Sequence, residues 1–334
     1  MAPKNGINKH ESDADSDFSS VSHDSMPAIE AYGHKYHGSG RIWVPIDESA
    51  VRHAVIQHDL FKLILNDRLT ETRLPIEDPN FKAPNGQPFS ILDVGSGTGT
   101  WAVEMARTFP QAEVLGIDIT SALLPTDVPK NLTFEIADAE EHLPPKLFDF
   151  IHMRNLVGGG IRDWEGLMGR VLKHLKPGGQ LEYTDWRPLF FDHDDSGEDA
   201  AGTASIDDPQ AREYVNALKG SAVKEGVDLD PVLKTASWLG VYNEVAVARK
   251  TAHFVPLQSR AGGSSERQKA ELANAMLEYS FDNYGLKFVI KSGIEEKRAR
   301  ELMKAAVDGT RNHEKKVYYQ AVFVTATKRQ EAGQ

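Results

Sequence analysis

The sequence predicts an α/β fold with a doubly wound, mostly parallel sheet of seven strands. Short apolar runs alternate with helix-sized segments through the middle of the chain, which is typical of β-α-β units and a parallel sheet. The first of these runs leads directly into a glycine-rich turn and a helix, and two later runs end at an aspartate. Because open α/β sheets bind ligands at the carboxyl ends of their strands, these positions mark the candidate site.

The elements follow one another in a regular order. The apolar run Phe89–Val94 predicts the first strand, and a helix over Thr98–Phe109 follows it and ends before Pro110. The other strands are predicted over 112–117, 132–136, 148–153, 180–184 after a turn at 177–179, 241–248 and 317–327. Helices are predicted over 161–175, 211–226, 265–284 and 294–312, so the last third of the chain adds helical insertions to the sheet.

Three segments outside this regular alternation of strands and helices differ from it in composition. Residues 1–26 are rich in Ser and Asp and poor in apolar side chains, which predicts a disordered tail. Residues 27–88 are expected to form an N-terminal lid and helix region, in which Asp47 begins a helix that runs to about Leu65. Residues 188–210 are acidic and contain no Lys or Arg, which predicts a solvated loop.

Composition excludes several classes of protein. With 38 basic and 49 acidic residues the net charge is -11, which disfavours nucleic acid as a partner. No cysteine is present, so disulfides, thiolate metal sites and cysteine nucleophiles are excluded. No secretory signal or membrane span is recognisable in the sequence. We therefore expect a soluble, cytoplasmic protein without a membrane partner.

The strongest motif is ILDVGSGTG at 91–99, where a strand runs into glycines and then into a helix. Gly95 and Gly97 let a ligand approach the backbone closely, and the helix N-terminus presents free N–H groups. Dinucleotide folds prefer G-x-G-x-x-G, whereas this motif is G-x-G-x-G preceded by Asp93. An acid at that place suits an ammonium group of a ligand, or positioning of the loop, better than a pyrophosphate.

Two further acids lie at strand ends. Asp118 ends the second strand, where a carboxylate usually accepts hydrogen bonds from ribose hydroxyls. Asp138 closes the third strand, where its side chain can accept from an adenine amino group. In this order, the glycine turn and the two acids indicate S-adenosylmethionine as the cofactor in preference to NAD.

Several short sequence segments resemble those of a known family. They are YH at 36–37, GR at 40–41, PIDE at 45–48, ILDVGSGTGTWAVEMA at 91–106, GIDIT at 116–120, VPKNLTFEIADAEE at 128–141, FDFIHMRNLVGGGIRDW at 148–164 and LKPGGQLEYTDW at 175–186. Residues 36–186 resemble class I S-adenosylmethionine-dependent methyltransferases, which have a Rossmann-like fold, and specifically the fungal LaeA-like methyltransferases. The likeness weakens after residue 190, so it leaves the substrate open.

The resemblance implies S-adenosylmethionine as the cofactor and a division of the chain into parts. It implies a cofactor-binding core over 89–187 and an acceptor pocket built by 211–328. The residues that it places around the cofactor are Asp93, Gly95, Ser96 and Gly97 at the methionine part, Asp118 and Ile119 at the ribose, Asp138 and Ala139 at the adenine, and Met153 near the sulfonium.

Methyl transfer from a sulfonium needs mainly proximity and alignment, so an obligatory catalytic residue is not required. Where a base is useful, His152 and His37 are the candidates whose ordinary pKa suits neutral pH. The rings of Tyr36 and Trp186 can lie near the sulfonium or the acceptor. The acidic segment 192–195 could ligate a divalent cation through its carboxylates, but it has the composition of a solvated loop. We therefore expect no metal site.

Three functions remain open at this stage. The first is a methyltransferase that modifies an oxygen or nitrogen of a small-molecule secondary metabolite. The second is a LaeA-like regulator of secondary metabolism that acts in the nucleus through velvet-type protein partners. The third is an enzyme that keeps the cofactor as a fixed charge and catalyses another reaction, such as a pericyclic step. The absence of a Lys/Arg-rich import segment favours the first.

Overall fold

The structure, a computed structural model, describes residues 26–82, 86–192, 208–258, 263–312 and 317–330. Nearly all of the predicted tail therefore lies outside the described residues. So does most of the predicted acidic loop, including its acidic residues beyond 192.

The described chain forms a central sheet, a small N-terminal hairpin and a set of helices. The strands are β1 (Ile29–Ala31), β2 (His34–Tyr36), β3 (Phe89–Val94), β4 (Ala112–Asp118), β5 (Leu132–Ile136), β6 (Phe148–Arg154), β7 (Leu175–Asp192), β8 (Val245–Pro256) and β9 (Val317–Lys328). The helices are α1 (Glu48–Ile64), α2 (Thr100–Thr108), α3 (Trp164–Lys173), α4 (Pro209–Glu225), α5 (Val232–Gly240), α6 (Ser264–Ser280), α7 (Leu286–Lys291) and α8 (Glu296–Asn312). A π-helical turn, Phe281–Gly285, joins α6 to α7.

The sheet has seven strands in the order β5-β4-β3-β6-β7-β9-β8. The strands from β5 to β7 pair in parallel, and β9 pairs antiparallel with both β7 and β8. This arrangement confirms the predicted doubly wound, mostly parallel sheet. It also places the carboxyl ends of β3, β4, β5 and β6 along one edge.

Local sequence explains where the first elements begin. Asp47 caps α1, and its carboxylate accepts hydrogen bonds from the backbone N–H groups of Ser49 and Ala50, as predicted from the sequence. Every residue of β3 is buried, because β3 lies inside the sheet with helices on both faces. Gly99 precedes α2 with a positive φ of 69°, a conformation that favours glycine.

Two strands extend furthest beyond their predicted bounds. β7 runs from Leu175 to Asp192, so it includes the predicted turn at 177–179 and takes residues 188–192 from the predicted acidic loop. Phe190 and Phe191 explain the difference, because both are buried in the core although acids follow them closely in the sequence. The strand predicted over 241–248 begins at Val245 and extends to Pro256.

The helices of the C-terminal third pack beside the sheet and cover its edge. Side chains from α1, α4, α6, α7 and α8 form one apolar cluster with the outer part of β7 and with β9. A second cluster fills the space between the sheet and the helices α3 and α5. Within the described ranges, no helix is long and apolar enough to cross a membrane.

Candidate functional site

A cleft opens at the carboxyl ends of β3, β4, β5 and β6, where the sequence places the candidate site. We call this cavity the main cleft. Its lining includes nine predicted site residues, namely Asp93, Gly95, Ser96, Gly97, Asp118, Ile119, Asp138, Ala139 and His152. The N-terminal segment before α1 covers it with Ile42, Val44, Pro45 and Ile46.

The glycine turn shapes one wall of the main cleft. Gly95 and Gly97 have φ angles of 71° and 55°, which favour glycine. A Cβ added to Gly95 would clash with Leu156 Cδ2, whereas one added to Gly97 would meet nothing within 4 Å. Gly95 is therefore needed for packing, and Gly97 leaves open space for a ligand beside the backbone.

Asp118 links this turn to the end of β4. Its Oδ2 accepts a hydrogen bond from the Gly97 N–H at 2.7 Å, and its Oδ1 accepts one from the Thr120 N–H at 3.2 Å. Burial raises the pKa of Asp118 to about 6, although these hydrogen bonds oppose the shift. The carboxylate thus lies in the cleft with lone pairs left to accept from ligand hydroxyls.

The Asp138 carboxylate pairs with Arg41, which belongs to the segments that resemble the family but is not among the predicted site residues. Arg41 of the N-terminal segment forms ion pairs with Asp138 and with Glu140. The Asp138 Oδ1 atom also accepts a hydrogen bond from the Glu140 N–H at 2.9 Å. The N-terminal segment is therefore tied to the part of the cleft that the sequence assigns to adenine.

Asp93 and His152 form a buried pair on adjacent strands. His152 Nδ1 lies 2.7 Å from Asp93 Oδ1, and the imidazole stacks on Trp101 with ring centroids 3.7 Å apart. Desolvation lowers the pKa of His152, so the ring is neutral and its Nδ1–H donates to Asp93. The two predicted residues are brought together, but Asp93 already accepts one hydrogen bond within the protein.

Three predicted site residues lie outside the lining of the main cleft, so their contact with the cofactor or the acceptor stays a prediction. Tyr36 is completely buried, with Lys287 Nζ 4.2 Å from the centre of its ring. His37 is buried in the turn after β2, where its Nδ1 lies 2.9 Å from Ser39 Oγ. Met153 packs in the core beneath the sheet, because successive side chains of a strand face opposite sides and His152 takes the cleft side.

The structure adds polar residues that the sequence reasoning missed. Gln57, Asn155, Asn283 and Tyr284 all line the main cleft. Within the described part of the chain, Asn155 Oδ1 and Asn283 Oδ1 are buried acceptors without a hydrogen-bond partner. Asn155 also has a positive φ of 56°, an uncommon conformation that clusters at functional sites. In the sequence, Asn155 lies just after a predicted strand and within the segment 148–164 that resembles the family.

A second cavity, which we call the side cavity, adjoins the main cleft. The two share Gln57, Asn155 and Tyr284 as lining residues. Its walls are mainly aromatic and come from Trp186, Phe190, Tyr214, Phe281, Phe288 and Tyr319. Among its described lining residues, Asp185 supplies the one carboxyl group, and none is Lys, Arg or His. No group of three or more metal-ligating side chains occurs in the described residues.

Comparison with known proteins gives the family. A model described as a methyltransferase domain matches residues 56–225. Methyltransferase pytC of Aspergillus terreus is 32% identical over 230 residues, which cover 68% of this chain and 65% of that protein. The secondary metabolism regulator LAE1 of Cochliobolus heterostrophus is 35% identical over 159 residues, which cover 46% of this chain and 49% of the regulator. The chain thus spans about two thirds or less of the length of these relatives.

One solved structure with a similar course of the chain is phosphoethanolamine N-methyltransferase 2 of Haemonchus contortus. It matches 86% of this chain and 61% of its own, with 16% identity and a TM-score of 0.44. The family model covers half of the residues, including the strands that form the main cleft. The chain therefore belongs to the methyltransferase-domain family, as its resemblance to the fungal LaeA-like members predicts.

Proposed function

We propose that the chain is an S-adenosylmethionine-dependent methyltransferase that transfers a methyl group to an oxygen or nitrogen of a small molecule. The proposal rests on one observation. The main cleft and the side cavity, whose linings differ in polarity, adjoin at Gln57, Asn155 and Tyr284. The main cleft offers carboxylates and glycine backbone, and the side cavity offers apolar walls. This pairing suits a polar methyl donor next to a less polar acceptor.

The residues of the main cleft fit the cofactor. Gly97 leaves open space beside the backbone, and the Asp118 carboxylate would accept from the ribose hydroxyls. Asp93 and the unpaired Asn155 Oδ1 would accept from the ammonium of its methionine part. Asp138 and Ala139 remain the proposed adenine contacts. For this contact, the Asp138 carboxylate must either accept from adenine while it stays paired with Arg41, or separate from Arg41 when the cofactor binds.

The cofactor, when bound, supplies a methyl group that is already activated on a sulfonium. The chain must therefore provide proximity, alignment and protection from water. The segment before α1 serves the last purpose, since Ile42, Val44 and Pro45 lie over the main cleft. His152 stays a candidate base, although its Nδ1 atom is engaged by Asp93.

A labelling experiment tests this function. The protein would be mixed with methyl-labelled S-adenosylmethionine and extracts of the producing organism, and the labelled products separated. We expect label in a small molecule. Label that is found only in protein would instead support a regulatory methyltransferase, and cofactor binding without any transfer would support a non-methylating enzyme.

The regulatory alternative is a specific one, because several relatives are named as secondary metabolism regulators. A regulator of this kind would act in the nucleus through protein partners, whereas the proposed enzyme is expected in the cytoplasm. The apolar side cavity favours the small-molecule enzyme, since its aromatic walls suit a ring system better than an extended protein segment.

A further inference from the structure

The side cavity presents one acceptor and one unpaired donor on neighbouring residues. Asp185 and Trp186 both line it, just past Thr184, where the parallel pairing of β7 with β6 ends. Trp186 Nε1 is a buried donor without a partner among the described residues. The Trp186 ring also stacks on Tyr319, with centroids 5.1 Å apart and 9° between the planes, which gives the cavity a flat aromatic wall.

The hydrogen bonds of Asp185 leave room for one more donor. Its Oδ2 accepts from the Val157 N–H at 3.2 Å and from the Tyr183 hydroxyl at 3.0 Å, and its Oδ1 accepts from the Trp186 N–H at 2.9 Å. A carboxylate has about four lone-pair positions, so one remains. A hydroxyl can donate to that position and accept from Trp186 Nε1, whereas an ammonium group cannot accept and a carboxylate ligand cannot donate.

We propose that the side cavity takes an uncharged, largely apolar hydroxy-aromatic compound as the methyl acceptor, with Asp185 accepting the hydroxyl proton and Trp186 Nε1 holding the oxygen. The inference rests on the proposed function and deepens it. The hydroxyl oxygen forms the new O–C bond, its proton passes to the Asp185 carboxylate, and the electron pair of the broken S–C bond stays on sulfur. The aromatic walls, and the absence of Lys, Arg and His among the described lining residues, exclude an anionic acceptor.

Asp185 has a proton affinity that suits this role. Burial raises the pKa of Asp185 to about 7, so it can take up a proton near neutral pH. The titratable groups around it are Tyr183, Tyr284 and Tyr319, whose pKa values are raised by burial, and Asp230, which pairs with Arg187. The tyrosines therefore stay neutral. Binding of a neutral hydroxy compound should strengthen as the pH rises through about 7.

The test uses 2-naphthol as the probe, with S-adenosylhomocysteine as a separate titration of the main cleft. By calorimetry we expect 2-naphthol to bind at least ten times more tightly than 2-naphthoate or 2-naphthylmethylammonium. Asp185→Asn and Trp186→Phe should each weaken 2-naphthol at least tenfold, and Asp185→Asn should also remove the pH dependence. Leu218→Trp should block the probe by filling the cavity from α4 without weakening S-adenosylhomocysteine.

Asp163→Asn serves as the matched control, because Asp163 caps α3 outside both cavities and asparagine caps equally well. If S-adenosylhomocysteine binds but 2-naphthol does not, the acceptor assignment is wrong and the proposed function stands. If S-adenosylhomocysteine itself fails to bind, the proposed function fails. Tighter binding of the ammonium probe overturns the hydroxyl assignment, as does unchanged 2-naphthol affinity in Leu218→Trp or in both polar variants. Trp186→Phe keeps the test decisive if Asp185→Asn does not fold.

Discussion

At the scale of single residues, Asp118 has a structural role and a proposed role in ligand binding. Its two oxygens hold the backbone N–H groups of Gly97 and Thr120, so the same carboxylate that would bind ribose also fixes the glycine turn. This arrangement preorganises the turn before a ligand arrives. It also means that removal of the side chain affects both the turn and the ligand.

We predict that Asp118→Ala weakens binding of S-adenosylhomocysteine tenfold or more. Hydrogen bonds to a charged group contribute about 1.5–3 kcal/mol each, and Ala removes the acceptor. In the wild type, affinity should be constant above pH 7 and fall as the pH drops through about 6, because the protonated carboxyl accepts hydrogen bonds less well. Calorimetry over this pH range checks both statements.

The control for this prediction is Asp127→Ala, which removes an exposed carboxylate in the loop after β4. Its affinity should equal that of the wild type. An Asp118→Ala protein with native circular dichroism and undiminished affinity would show that another residue holds the ribose.

At the scale of elements, the N-terminal segment 36–46 is fastened to three parts of the molecule. Arg41 pairs with Asp138 and Glu140, the Trp43 N–H donates to the Gly158 carbonyl at 2.7 Å, and Lys287 Nζ donates to the Ile42 carbonyl at 2.9 Å. The Trp43 ring also stacks on Phe288, with centroids 4.1 Å apart. The segment therefore lies where the sequence predicts a lid, and its motion stays a prediction.

We predict that residues 32–45 exchange amide hydrogens more slowly when S-adenosylhomocysteine is bound, because the segment closes over the ligand. Removal of residues 1–43 should abolish turnover and loosen cofactor binding, whereas removal of 1–26 should do neither. Hydrogen exchange by mass spectrometry provides the measurement, with the buried strand β3 as the internal reference. Equal exchange at saturating ligand would mean that the segment is permanently packed.

The connection between β7 and the loop before residue 73 depends on a buried acid. Glu182 is 1% exposed and accepts hydrogen bonds from the backbone N–H groups of Glu71 and Thr72. Burial raises the pKa of Glu182 to about 7, above that of an unfolded glutamate. The folded state thus binds this proton more tightly, and the group costs stability as the pH rises from about 4.5 to 7.

We predict that Glu182→Gln gains stability relative to the wild type as the pH rises over this interval, by an amount of the order of 2 kcal/mol. At low pH the variant should be the less stable protein, since glutamine has one acceptor oxygen for the two N–H groups. Urea unfolding at pH 5 and pH 7.5 measures the difference. A difference that does not change with pH would show that Glu182 is ionised in the folded protein at both values.

At the scale of the whole molecule, β9 completes the sheet from the far end of the chain. It lies between β7 and β8 and pairs antiparallel with both. Its side chains Phe323, Val322 and Val324 are buried in the two main apolar clusters. The sheet beside the side cavity therefore depends on a segment more than a hundred residues away from β7 in sequence.

We predict that a chain ending at residue 312 loses cooperative thermal unfolding. Without β9, the edge of β7 that faces β9 loses its partner strand, and so does β8. The backbone groups and apolar side chains of both strands are then exposed. A chain ending at residue 330 keeps β9 and serves as the control. Differential scanning calorimetry of both proteins distinguishes them, and a cooperative transition in the shorter one would mean that the remaining strands form a stable unit.

The sequence by itself determined the central part of this protein. Apolar runs with short turns predict β3 to β6, and Gly97, Asp118 and Asp138 line the main cleft because a strand end fixes where the next side chains lie. Local signals of this kind need no knowledge of distant residues. The Asp47 cap of α1 belongs to the same class, since its partners are two and three residues away.

Only the tertiary structure decided which side chains meet across the chain. The pairing of Arg41 with Asp138, the joining of Gln57, Asn155 and Tyr284 between two cavities, and the burial of Phe190 result from packing of segments far apart in sequence. Tyr36, His37 and Met153 lie outside the lining of the main cleft for the same reason. Proximity in sequence places a residue near the site, but the direction of its side chain depends on what packs against it.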